Sequence, residues 1–234
     1  MRLTILRNDA GVPAGHLERI AASRGIEAKL VKLDAGEPVP GLDSVEAVVA
    51  LGGEMGAYET DRFPYLVEEK QLLAAAVAEG IPVLGVCLGG QLLAESLGGR
   101  AYLADIPEVW FGPLNIVSDD PVVGVFANRS AFCIHRDTWD VPPGATRLAT
   151  SDKFEQAFRL GSALAVQPHP EIDPATVELW FGNPTFREMV ELSGADVSEI
   201  RTALDASEEQ IEHTSRLFFG AWLDEAQNIH SHRS

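Results

Sequence analysis

The chain has 234 residues, 46% of them hydrophobic and 23% charged, and a net charge of −17. It is long enough for a sizeable core, no apolar run approaches the roughly 20 residues a membrane helix needs, and so acidic a surface repels a phosphate backbone. Nucleic-acid and membrane partners are therefore not expected.

The predicted elements alternate at first. Leu3–Leu6 reads as a short apolar strand, 14–23 as a helix carrying Leu17, Ile20 and Ala21 on one side, and Ile26–Leu33 as an alternating strand. A loop with Pro38, Pro40 and Gly41 leads to a buried strand at Val45–Leu51. An amphipathic helix at Tyr65–Glu79 closes at Gly80, and Pro82–Val86 is the next strand. This βαβ rhythm implies a parallel sheet covered on both faces by helices, with a ligand crevice beyond the carboxyl ends of its strands. From about Gly99 short strands are expected instead, at Arg100–Leu103, Trp110–Val117, Val122–Phe126, Phe132–His135, Thr146–Thr150, Glu155–Phe158 and Ala163–Gln167. From Pro174 the chain reads as helical, including Glu208–Glu225 with Ile211, Leu217, Phe218 and Trp222 on one side. No repeat or linker interrupts it, so a single domain over 1–234 is expected. The N-terminus turns polar too soon for a signal peptide, which predicts a cytoplasmic protein. Two cysteines, Cys87 and Cys133, supply neither a disulfide framework nor a zinc-site spacing.

The run Ile81-Pro-Val-Leu-Gly-Val-Cys87-Leu-Gly-Gly-Gln91 concentrates the chemical information. An apolar strand meets a cysteine, glycines follow, and a helical pattern begins. A strand-turn-helix elbow of this kind lifts a nucleophile out of a sheet, and the helix N-terminus favours thiolate over thiol. Such a nucleophile needs a base, and the base needs an orienting acceptor. Of six histidines, His169 fits best, because it follows a buried strand at the proline-bracketed turn Pro168-His-Pro-Glu171, and Glu171 lies two residues on. An oxyanion needs donors, for which the Leu88 amide after the nucleophile and Gly53 in the glycine-rich turn after Leu51 are candidates.

Together Gly85-Val-Cys-Leu-Gly-Gly-Gln91, the Gly52-Gly53 turn, His135-Arg-Asp-Thr-Trp-Asp-Val-Pro-Pro-Gly-Ala145 and Gln167-Pro-His-Pro-Glu171 resemble the class I glutamine amidotransferases, in their GMP-synthetase-like branch. The similarity runs from about Val45 to Glu171. The resemblance implies an α/β, flavodoxin-like three-layer sandwich with a mostly parallel sheet. It implies a Cys87-His169-Glu171 triad acting without metal or organic cofactor on glutamine or a γ-glutamyl compound. Gly53 and Leu88 match the oxyanion donors, and Gln91, Arg136 and Asp137 match residues that hold the α-amino-acid end of the substrate. As read here, the chain ends in helices with no synthetase segment, so ammonia would pass to a separate synthase subunit, or γ-glutamyl groups would be hydrolysed or transferred independently. A non-catalytic binding or redox-sensing protein that keeps the fold is the contrasting reading.

The chain departs from the family pattern at Gly90 (His or Ala in many members), Arg136 (usually Gly), Pro168 (commonly aromatic) and Glu54 (commonly Pro). Arg136 is suited to reading a second carboxylate, as on a γ-glutamyl peptide. Apart from the triad and the substrate-holding residues, Cys133 reads as core, His135 as a packed strand-end residue, and His230 and His232 as disordered terminal groups. Trp139 is the tryptophan expected to line a pocket.

Overall fold

A computed structural model describes residues 1–233. Five parallel strands form one side of an eight-stranded sheet: β1 (Arg2–Arg7), β2 (Glu27–Lys32), β3 (Ala47–Ala50), β4 (Val83–Val86) and β10 (Ala163–Val166), in the order β2-β1-β3-β4-β10. The sheet continues antiparallel through β9 (Glu155–Leu160), β8 (Thr146–Thr150) and the two-residue β6 (Asn115–Ile116). A separate antiparallel ribbon pairs β5 (Arg100–Pro113) with β7 (Ser130–Asp140).

The central strands β3, β4 and β10 are buried at every position, as expected where helices cover both faces of a parallel sheet. On one face, α1 (His16–Ser23) and the long α7 (Glu208–Arg233) pack Leu17, Phe218, Phe219 and Trp222 against Leu3, Ile5 and Val49. On the other, α2 (Tyr65–Ala78) and α3 (Leu88–Ser96) pack Leu66, Leu73, Leu92 and Leu93 against Leu6, Val48 and Val83. This is the expected α/β three-layer arrangement. A third apolar cluster joins the β5–β7 ribbon to α4 (Pro174–Gly182), α5 (Pro184–Leu192) and α6 (Val197–Asp205) through Phe132, Ile134, Trp180, Phe186 and Val190.

Several local expectations need correction. Val122–Phe126 is not a strand: Val123–Asn128 is a 3₁₀ helix, because the Asp120 carboxylate accepts from the Val122 and Val123 amides at 2.9 Å and turns the chain. Arg100–Leu103 and the first half of Trp110–Val117 merge into the one strand β5, whose register shifts between Leu103 and Glu108. The terminal histidines are ordered: α7 runs to Arg233, and His230 Nε2 lies 3.7 Å from Glu46. Among the described residues no helix is long and apolar enough to cross a membrane.

Candidate active site

The register of three adjacent strands builds the site. Val48 pairs with Val83, Ala50 with Gly85 and Val166 with Val86, so β3, β4 and β10 end level with one another. The segments that leave them, Leu51-Gly-Gly53, Cys87-Leu88 and Gln167-Pro-His169, must therefore converge beyond the sheet edge.

Cys87 occupies the residue between β4 and α3 with φ 52° and ψ −111°, the single non-glycine residue at positive φ among those described. Backbone strain of this kind costs on the order of 1–3 kcal/mol and persists only where the surroundings over-determine it. Here the Cys87 amide donates to Val166 O at 2.8 Å and the Cys87 carbonyl accepts from the Gln91 amide at 3.0 Å. Two glycines let α3 lie directly on the sheet: a Cβ on Gly89 would fall 2.0 Å from Ala50 O, and one on Gly85 would fall 2.4 Å from Gly89 O. Cys87 thereby sits at the N-cap of α3, where the first amides of the helix have no helical partner.

His169 is fixed at both ends. Its amide donates to Phe132 O at 2.8 Å, and Nδ1 lies 2.7 Å from Glu171 Oε1, with both side chains buried. The Nδ1 contact leaves Nε2 for the Cys87 side. Burial works against a charged His169, but the Glu171 carboxylate and the hydrogen-bonded Cys87 sulfur outweigh it and push the imidazole up to about 10. At neutral pH the arrangement thus favours an imidazolium beside the sulfur. The three sequence-predicted residues Cys87, His169 and Glu171 come together, and a Cβ built on Gly52 would lie 3.3 Å from His169 Cε1 and 3.5 Å from Cys87 Cβ.

Gly53 and Leu88 are neighbours as well, since a Cβ on Gly53 would sit 2.9 Å from Leu88 Cδ2 and 2.6 Å from Met55 Sδ. Leu88 is the first residue of α3, where an amide has no partner inside the helix. Gln91 is buried and its Nε2 donates to Asp137 O at 2.9 Å. That same carbonyl faces His135 Nδ1 at 2.9 Å, so it is already engaged twice. The Asp137 side chain turns to the Tyr58 hydroxyl; burial and then Glu59 raise its carboxyl, and burial followed by Asp137 pushes Tyr58 up to about 12. Arg136 is exposed at the rim.

These groups line a cleft of about 510 Å³ that includes Gly53, Cys87, Gln91, Arg136, Asp137 and His169. Sequence reasoning missed much of its surroundings. Gln167 Nε2 donates to the Cys87 sulfur at 3.4 Å. Trp180 lines this cleft, and its ring meets His169 edge-on at a centroid distance of 4.9 Å, whereas Trp139, the tryptophan expected at a pocket, lines a separate hollow of about 490 Å³ with Tyr102 and Phe154. Trp139 is buried behind α3. Its ring lies 3.0 Å from where a Gly90 Cβ would stand, so it supplies the bulk that Gly90 lacks. Glu54 bridges the cleft rim, accepting from Asn183 Nδ2 at 2.9 Å. Beneath the glycine turn, Asn8 Nδ2 donates to Leu51 O at 3.1 Å and to the fully buried Glu69 at 3.2 Å; burial pushes Glu69 up to about 8.

Glu108, Cys133 and His135 are the one group among the described residues with donor atoms close enough to hold a metal ion, within 4.8 Å of one another and all buried. They are joined by hydrogen bonds instead: His135 Nε2 to Glu108 at 3.0 Å, Gln156 Nε2 to Glu108 at 2.6 Å, and the Cys133 thiol to Gln156 Oε1 at 3.2 Å. Burial pushes the Cys133 thiol well above its ordinary value, which leaves it a neutral core group.

The profile of the glutamine amidotransferase class-I family matches residues 15–180. The chain belongs to this family. Its class is therefore that of a cysteine hydrolase or amidotransferase. It is 35% identical over 134 residues to the glutamine-hydrolysing GMP synthase of Thermomicrobium roseum, covering 55% of this chain and only 24% of that protein. A glutamine-hydrolysing GMP synthase subunit from Sulfolobus acidocaldarius is 30% identical over 154 residues, or 63% of this chain and 78% of that one. A solved glutamine amidotransferase from Thermotoga maritima superposes with a TM-score of 0.84 at 30% identity, covering 95% of this chain and 97% of that chain.

Proposed function

We propose that the protein hydrolyses the γ-carboxamide of glutamine or a γ-glutamyl amide through a thioester on Cys87. The observation that carries this reading is the placement of a strained, buried Cys87 beside a His169 whose other nitrogen lies 2.7 Å from Glu171. In this reading the Cys87 thiolate attacks the γ-carbonyl carbon, and the developing oxyanion takes hydrogen bonds from the Gly53 and Leu88 amides. Each such donor typically contributes about 3–4 kcal/mol in the transition state. The His169 imidazolium gives its proton to the leaving nitrogen as the C–N bond breaks. Glu171 holds the ring and balances its charge throughout. Water then gives a proton to His169 and adds to the thioester, releasing glutamate and restoring the thiolate. Gln91, Arg136 and Asp137 hold the amino-acid end of the substrate.

Residues 1–234 act in this account as one cytoplasmic domain. Two relatives bear on partners: the S. acidocaldarius protein is named as one subunit of a GMP synthase, and PurLQS of T. maritima shares the fold at a TM-score of 0.54. Delivery of ammonia to a separate synthase is the matching proposal for this chain. The test is release of ammonia or amine from L-glutamine and γ-glutamyl amides by the wild type and by Cys87→Ala. Loss of all release in the variant supports the mechanism; full retention overturns it.

A further inference from the structure

The cleft is larger and more apolar than an ammonia-releasing site requires. Its volume of about 510 Å³ lies in the roughly 300–1,000 Å³ range that holds a drug-sized ligand, well beyond a single amino acid. Its apolar part is not scattered. Trp180 touches His169 edge-on at 4.9 Å, Phe186 follows at 5.7 Å from Trp180, and Leu179 and Met189 extend the same wall from α4 and α5. Leu179 is 48% exposed, a large hydrophobic side chain left uncovered on this wall. The wall is held in place: Trp180 Nε1 donates to Gly11 O at 2.7 Å, and Asn183, between the two helices, donates to Glu54.

Its position relative to His169 decides what it can bind. The leaving nitrogen must receive the His169 proton, so any group on that nitrogen lies on the His169 side of the sulfur, where the wall begins. The glutamyl end is assigned to Gln91 and Arg136. Ammonia would gain nothing from four apolar side chains at this point.

We infer that the cleft takes a γ-glutamyl amide whose amine carries an apolar group of about aromatic size, seated on Trp180, Phe186, Leu179 and Met189. The inference rests on the hydrolase reading above. The reaction balances without an oxidant or a cofactor. The Sγ–C bond forms as C–N breaks, and the free apolar amine departs with the proton from His169. Water then replaces sulfur on the γ-carbon, so that one amide and one water give glutamate and one amine.

The test compares L-glutamine, γ-glutamyl methylamide and γ-glutamyl benzylamide, with the freed amine as readout, in wild type and in Leu179→Asp. Burial of a phenyl-sized group raises kcat/KM for the benzylamide over the methylamide by about 30-fold, within the 10- to 100-fold span that such burial supplies. In Leu179→Asp the ratio falls towards one. Because the ratio is taken within one preparation, partial misfolding of the variant does not alter it. A ratio of about 30 that collapses in the variant supports the inference. Turnover of all three substrates with a ratio near or below one overturns it and leaves the hydrolase reading standing, and so does a high ratio unchanged by Leu179→Asp. Absence of Cys87-dependent release from every substrate overturns both.

Discussion

Replacing Glu69 by glutamine is expected to change how stability depends on pH while keeping the fold. Glu69 is completely buried on α2; Oε1 accepts from Asn8 Nδ2 at 3.2 Å, while Oε2 has no hydrogen-bond partner. Burial pushes its pKa up from 4.5 to about 8. In the unfolded chain the carboxyl ionises near its ordinary value. Between those two values the unfolded state has released a proton that the folded state still holds, so stability is highest at low pH and falls as pH rises. The slope is about 1.4 kcal/mol per pH unit. Across the window the loss amounts to a few kcal/mol, a sizeable share of the roughly 5–15 kcal/mol that holds a domain together. Glutamine keeps the shape, cannot ionise, and brings a donor that the unpartnered Asn8 Oδ1 can accept. Urea unfolding of both proteins at several pH values between about 4.5 and about 9 measures the effect. Contributions from other titrating groups are shared and cancel in the difference. The advantage of Glu69→Gln over wild type is expected to grow from the acid end to a few kcal/mol near pH 8 and then level off. Stability curves that run parallel through this range would refute the reasoning, because they would mean that Glu69 ionises equally in both states.

Three further substitutions test the site. Glu171→Gln removes the carboxylate that raises His169, so the alkaline limb of the kcat profile, where the imidazolium loses its proton, moves to lower pH, and kcat falls by about 10²–10⁴. The same substitution weakens a stabilising contribution that is complete below the ordinary histidine pKa and lost as pH rises towards about 10, so pH-dependent unfolding reads it independently. Gly53→Ala places a Cβ 2.6 Å from Met55 Sδ and 2.9 Å from Leu88 Cδ2, both free ends of flexible side chains that can swing aside; the Gly53 amide then keeps its place, and steady-state kinetics are expected to show kcat and KM within about threefold of wild type. Gly89→Ala places a Cβ 2.0 Å from Ala50 O, and thermal or urea unfolding is expected to register a loss of about 3 kcal/mol from overpacking.

The parts of this fold written in local pattern were legible. Four-residue buried strands at Ala47–Ala50 and Val83–Val86 appear as short apolar runs, and the elbow at Cys87 announces itself through the glycines that follow it. His169 and Glu171, two residues apart, form their pair within one turn. What escaped was held together by distance along the chain. Gln167 meets Cys87 from 80 residues away, and Asn8 meets Glu69 from 61, through side chains that look unremarkable in sequence. The cleft wall on α4 and α5 was visible as helix, but nothing local says which face turns to the sulfur. Trp139 shares its strand face with His135 and Asp137, yet it lies further along β7, where α3 covers it and its ring meets Gly90. At Val122–Phe126 β-branched residues suggested a strand, and the Asp120 cap overrode that preference.

The most direct test of the central claim is acid-quench mass spectrometry of the protein during turnover of L-glutamine or a γ-glutamyl amide, followed by peptide mapping. The account predicts a mass gain of one γ-glutamyl group, confined to the peptide bearing Cys87 and absent from Cys87→Ala. Turnover with no adduct in any quench, or an adduct on Cys133, would contradict it.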